Sequence, residues 1–122
     1  MPDLRSLPGA TDGILPAQCP SRSVLDHVTS KWGVLVLLAL SAGDHRWSEL
    51  RRVVDGVSEK MLAQTLRTLE ADGFVHRDAE PVIPPRVTYS LTARGRELAG
   101  HLLPLMAWIT EHADDIVAAR PR

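Results

Sequence analysis

Between Ser58 and Leu91 the hydrophobic repeat of this chain changes period. Leu62, Leu66 and Leu69 recur at intervals of four and three residues, which lines them along one face of a helix. Ser58 stands where it can cap the first turn and Gly73 where it can close the last. Beyond Gly73, Phe74-Val75-His76-Arg77 is strand-like, and Arg86-Val87-Thr88-Tyr89-Ser90-Leu91 alternates as a strand does. The proline-stiffened Pro81-Val82-Ile83-Pro84-Pro85 separates the two. A helix therefore runs straight into a β-hairpin.

What precedes this unit reads as helical. A first helix is expected after Ser21, with Val24, Leu25 and Val28 forming an apolar stripe. A second is expected over about residues 31–41, where the run 34–40 is apolar all round and calls for a helix buried on most sides. Gly43 ends it, Arg46-Trp47 supplies a short strand, and Ser48 caps a helix over residues 49–54. Gly56-Val57 then turns tightly into the helix capped by Ser58. Two helices joined by a short glycine-containing turn form a helix-turn-helix candidate, a weak signal alone, but a hairpin directly after such a pair is a wing. Thr92 caps a last helix to about Ala118, in which Leu98, Leu102, Leu105, Ile109 and Ile116 keep a heptad-like spacing and Pro104 is expected to introduce a kink. A terminal apolar stripe on so small a chain has little left to cover, so its favoured partner is a second copy.

With 122 residues there is room for one domain of ordinary size. Residues 1–18, rich in Pro and Gly, read as a flexible arm, and residues 19–122 as the folded domain. The expected class is mainly α with a small β-hairpin wing, a dimeric winged helix-turn-helix. The run 34–40 is far short of the roughly 20 residues a membrane span needs, and no basic segment followed by an apolar stretch opens the chain. A lone cysteine, Cys19, excludes an internal disulfide and suits a reducing cytoplasm, the expected location. Five scattered histidines, no metal-ligand spacing and no glycine-rich phosphate loop leave no catalytic or metal site and no cofactor.

A net charge of −1 argues against a nucleic-acid partner, but the distribution argues for one. From Arg46 to Arg96 nine basic residues outnumber seven acidic ones, whereas the stretch from Glu97 onward is acidic. On the helix after Ser58, the residues facing away from the leucine stripe are Lys60, Gln64, Arg67 and Thr68, with Ser58, Met61 and Thr65 along the border. Gln suits adenine, Lys and Arg suit guanine, Ser and Thr suit base edges or phosphate, and Met61 or the Thr65 methyl suits a thymine methyl. Such a polar stripe is more often a solvated face; the wing tips the balance to double-stranded DNA. Arg86, after Pro84-Pro85, is placed for a minor groove, and Lys31, Arg51, Arg52 and Arg77 for phosphates, although Arg51 and Arg52 can equally pair with Glu49 or Asp55. A protein-interaction module that does not read DNA remains the alternative.

The assembled residues resemble the HxlR family of bacterial winged-helix regulators, relatives of the MarR-type proteins. The resemblance spans roughly residues 19–108. It is carried by Cys19-Pro20, Ser30-Lys31-Trp32, Arg46-Trp47-Ser48-Glu49-Leu50-Arg51-Arg52, Gly56-Val57-Ser58-Glu59-Lys60-Met61-Leu62, Leu66-Arg67-Thr68-Leu69-Glu70-Ala71-Asp72-Gly73, Pro84-Pro85-Arg86-Val87-Thr88-Tyr89-Ser90-Leu91-Thr92 and Gly95. It implies a transcriptional regulator dimerising through its first and last helices, here Val24, Leu25, Val28, Leu98, Leu102, Leu105, Trp108 and Ile109. It also implies residues 58–72 as recognition helix and 80–85 as wing. In sensing members a cysteine before the first helix responds to oxidants or electrophiles, matched here by Cys19. A helix N-terminus and Arg22 nearby favour its thiolate; the alternatives are a packed, inert cysteine and a regulator controlled by a small-molecule inducer in which Cys19 is only structural. Trp47 stands where phenylalanine is usual, the arm is longer than usual, and the second cysteine of some sensors is absent.

Overall fold

The computed structural model describes residues 6, 7 and 17–121. Among these residues eight elements follow in the order α1 (Pro20–Val28), α2 (Lys31–Ser41), β1 (His45–Arg46), α3 (Trp47–Val53), α4 (Glu59–Ala71), β2 (Val75–Glu80), β3 (Arg86–Leu91) and α5 (Ala93–Ala118). Five helices and a three-stranded antiparallel sheet make a winged helix, as expected. The arm read at residues 1–18 lies outside the described residues except for Ser6, Leu7, Ala17 and Gln18.

The apolar run of α2 becomes the centre of the core. Val36 and Leu37 are wholly buried there, against Leu50 of α3, Leu62, Leu66 and Leu69 of α4, Val75, Tyr89 and Leu91 of the sheet, and Ala99 and Leu102 of α5. Burying one such leucine contributes about 1.5–3 kcal/mol, so the leucine stripe of α4 holds that helix in one rotational setting. Its ends are set locally. The Ser58 hydroxyl accepts the Met61 N–H at 3.1 Å, and Gly73, at φ +83°, turns the chain out of the helix in a conformation other residues rarely adopt. The Thr92 hydroxyl likewise accepts the Gly95 N–H at 3.0 Å and donates to the Gly73 carbonyl at 2.6 Å, tying the start of α5 to the exit of α4.

Several boundaries differ from the sequence expectation. The first helix starts at Pro20, and its N-cap is Cys19, not Ser21, because a proline at the first helical position needs no N–H partner and already has a helical φ. Ser48 lies inside α3. That helix begins at Trp47, with the Arg46 N–H donating to the Glu49 carboxylate at 2.9 Å, so the short strand comprises His45 and Arg46 instead of Arg46 and Trp47. Strand β2 extends to Glu80, well past Arg77, pairing residue for residue with β3 from Val75↔Leu91 to Glu80↔Arg86. All its residues after Val75 are exposed, so no inward-facing alternation marked it. The sheet order is β1-β3-β2, with β3 in the middle. Helix α5 runs through Pro104 as one element.

Candidate nucleic-acid interface

The outward face of α4 is narrower than the spacing suggests. Lys60, Gln64 and Arg67 are exposed in an i, i+4, i+7 row opposite the buried leucines, and Ala71 continues it. Met61 and Gln64 border a cleft of ≈ 180 Å³ shared with Asp26, His27 and Ser30 of the α1 end, and Thr68 is half-buried in it. Thr65 is buried, its hydroxyl donating to the Met61 carbonyl at 2.7 Å, so it faces inward and not along the border. The Ser58 hydroxyl is engaged as the cap.

Around α4 the arginines fall into distinct settings. Arg51 of α3 donates to Glu59 of α4 at 3.1 Å across the turn, with both side chains well exposed; pairs of this kind contribute roughly 0–1 kcal/mol and yield readily to a phosphate. Arg52, in the last turn of α3, is exposed. Lys31 lies 4.3 Å over the Trp32 ring at the start of α2. That ring end also comes to the 56–57 turn, where a Cβ on Gly56 would meet it at 3.8 Å. On the wing, Arg77 is exposed on β2 opposite Tyr89, and Arg86 opens β3 opposite Glu80, below the tip and not on it. The tip is apolar: Ile83 is fully exposed and Val82 nearly half so.

Sequence reasoning overlooked Arg46 as a contact residue, treating it only as part of a strand. The structure places it with Trp47 and Ser48 across an open cleft of ≈ 460 Å³ from Val82, Ile83 and Arg86 of the wing. The cue was present in the pairing partner: β1 hydrogen-bonds to β3, which brings the start of α3 beside the hairpin. Here the Arg46 backbone N–H holds the Glu49 carboxyl below the usual carboxylate range against some loss of hydration, and the charges of His45, Arg46 and Arg52 lower it further by smaller amounts.

Val24 and Leu25 of α1 and Leu105, Trp108 and Ile109 of α5 are exposed. Val28 and Leu102, expected with them, are instead buried in this chain's own core, and Leu98 packs against it half-buried, because α1 and the first half of α5 flank α2. Ile116, the last residue of the heptad-like stripe, is exposed, as are Leu103 and Val117 of α5, which that stripe did not include. Cys19 is partly exposed at the N-cap of α1, its carbonyl accepting the Arg22 N–H at 3.1 Å and its thiol forming no capping bond. Among the described residues no group of three or more metal-ligating side chains gathers, and no single helix is long and apolar enough to cross a membrane.

A model of the HxlR-like helix-turn-helix family matches residues 27–117. The HTH-type transcriptional regulator YtfH of Escherichia coli is 55% identical over 103 residues, covering 84% of this chain and 82% of that protein. Among solved structures, a transcriptional regulator YtfH from Salmonella typhimurium superposes with a TM-score of 0.82 at 53% identity, covering 88% of this chain and 96% of that one. The redox regulator HypR in its oxidized form superposes with a TM-score of 0.70 at 38% identity, covering 76% and 96%.

Proposed function

This chain belongs to the HxlR-like helix-turn-helix family of transcriptional regulators, not enzymes, and from that premise we propose that it binds a pseudo-palindromic operator as a cytoplasmic homodimer. The observation that carries this reading is the exposed row Lys60, Gln64 and Arg67 on a helix capped at both ends and fixed by its buried leucines, beside an exposed hairpin. A rigid helix with long hydrogen-bonding side chains on its free face suits a major groove, and the row supplies partners for both adenine and guanine. Arg46 suits the flanking phosphates, as do Arg51, Arg52, Arg77 and Lys31, and Arg86, expected in a minor groove from the sequence, suits a phosphate better because it stands across the wing cleft from Arg46 and below the hairpin tip. In a dimer the two recognition helices enter successive major grooves about 34 Å apart. The exposed residues Val24, Leu25, Leu105, Trp108 and Ile109 supply the dimer contact.

Control is assigned to Cys19. The thiol is partly exposed at the start of α1, and HypR, a redox regulator, has the same fold at 38% identity. Oxidation links Cys19 to a small thiol or to Cys19 of the second subunit, displacing α1. The test is a titration of the protein against its own upstream DNA at two salt concentrations, reduced and after diamide. Specific, salt-sensitive binding that diamide alters in wild type but not in Cys19→Ser is expected. Binding indifferent to diamide would remove the cysteine switch, with an inducing small ligand in its place, and no specific binding in either state would remove the operator reading.

A further inference from the structure

We propose that His27 is a positioning residue that ties α1 to the recognition helix through Asp72 and so sets the spacing of the two recognition helices in the dimer. This rests on the reading above, that α4 faces DNA and α1 joins the subunits. His27 Nδ1 and Asp72 Oδ2 lie 2.5 Å apart, joining positions 45 residues distant, with side chains 36% and 21% exposed. Asp72 is the C-cap of α4, its backbone N–H donating to the Thr68 carbonyl at 3.1 Å. His27 sits in the last turn of α1, and the Ser30 hydroxyl donates to its carbonyl at 3.1 Å. At this corner the chain turns through 70° into α2. No side chain fits at Gly33, whose Cβ would stand 2.6 Å from the His27 carbonyl oxygen, so the corner is closely fitted.

Helix α1 thereby changes character along its length. Val24 and Leu25 in its middle are exposed, whereas Val28 at its end is buried and His27 pairs with the end of α4. Between the two helices lies the cleft lined by Asp26, His27 and Ser30 on one side and Met61, Gln64 and Thr68 on the other. A dimer contact or thiol modification that rotates α1 therefore pulls on α4 at one end, beside the side chains that face DNA. The leucine stripe and the Ser58 cap hold α4 together without this pair, so its loss changes the relation between α1 and α4 more than the fold.

The full chain carrying His27→Gln, Asp72→Asn or both is titrated by fluorescence anisotropy against upstream operator DNA and against fragments with one to three base pairs inserted between the half-sites. Each single variant is expected to remain dimeric with little change in Tm and to bind non-specific DNA as wild type does. Each should lose about 5-fold or more in operator affinity and discriminate less between spacings, with the double variant no weaker than the singles. Wild-type operator affinity and spacing preference in the variants, strictly additive losses, or a Tm drop of about 10 °C in both singles would overturn the positioning role. Failure of wild type itself to bind any upstream fragment would remove the operator reading together with it.

Discussion

A methyl group on Gly95 has nowhere to go: its Cβ would stand 2.0 Å from the Phe74 carbonyl oxygen and 3.2 Å from the Leu91 side chain. Both neighbours are fixed, the carbonyl by the N–H of Thr92 at 3.1 Å and the leucine by burial. Gly95→Ala is therefore expected to destabilise the chain by about 2 kcal/mol or more, as strained overpacking does, and denaturant unfolding measures it. Glu49 makes a residue-scale prediction of another kind. Its carboxyl is held below the usual range mainly by the Arg46 N–H, so its contribution to stability is complete above the ordinary carboxylate pKa and is lost as pH falls through the lowered value. Wild type and Glu49→Gln should thus differ most in Tm near neutral pH and converge in acid, as thermal melts across pH 7 to 3 would register. Thr65 illustrates what the residue pattern alone leaves undecided. On a helical projection it borders the exposed face, and only the packing of α1 beside α4 puts it inside.

At the scale of elements, α5 changes character along its length. Its first half packs on α2 and β3 with Ala99 and Leu102 buried, whereas beyond Leu102 its large apolar side chains are exposed except for the half-buried Met106. Trp108 stacks on His112 at 4.5 Å, and the Nδ1 of that histidine lies 2.8 Å from the Trp108 carbonyl oxygen, so the aromatic surface is preset on the exposed part of the helix. A second copy is the occupant this surface suits, because one such stripe covers another under twofold symmetry. Trp108→Glu combined with Ile109→Glu is expected to leave the monomer folded and to lower the mass seen by light scattering from dimer to monomer. An unchanged dimer would transfer the contact to α1. Val28 and Leu102 are excluded from that contact by their own core, a distinction that the heptad spacing did not make, since a helix face can be apolar toward its own chain and toward a partner in the same register.

For the molecule as a whole, separating the reading helix from the wing predicts two unlike mutants. Arg67→Ala should reduce operator binding by roughly 1–3 kcal/mol while sparing non-specific DNA. Arg86→Ala should weaken both alike and lower the salt slope by about 1 per subunit, read from titrations at several salt concentrations. Equal effects of the two would dissolve the division of labour. By itself the sequence determined the order of helices and strands, the caps at Ser58 and Thr92, the buried α2 and the family, because hydrophobic period, capping chemistry and turn glycines are local properties of the chain. Its weaker points were also local in origin: β2 showed no inward alternation because it is an exposed edge strand. Only the tertiary structure decided that Arg46 faces the wing, that His27 meets Asp72 and that Thr65 turns inward. Those facts depend on how elements far apart in the chain pack together, and no spacing along the chain encodes the angle at which two helices cross or which strand lies beside which.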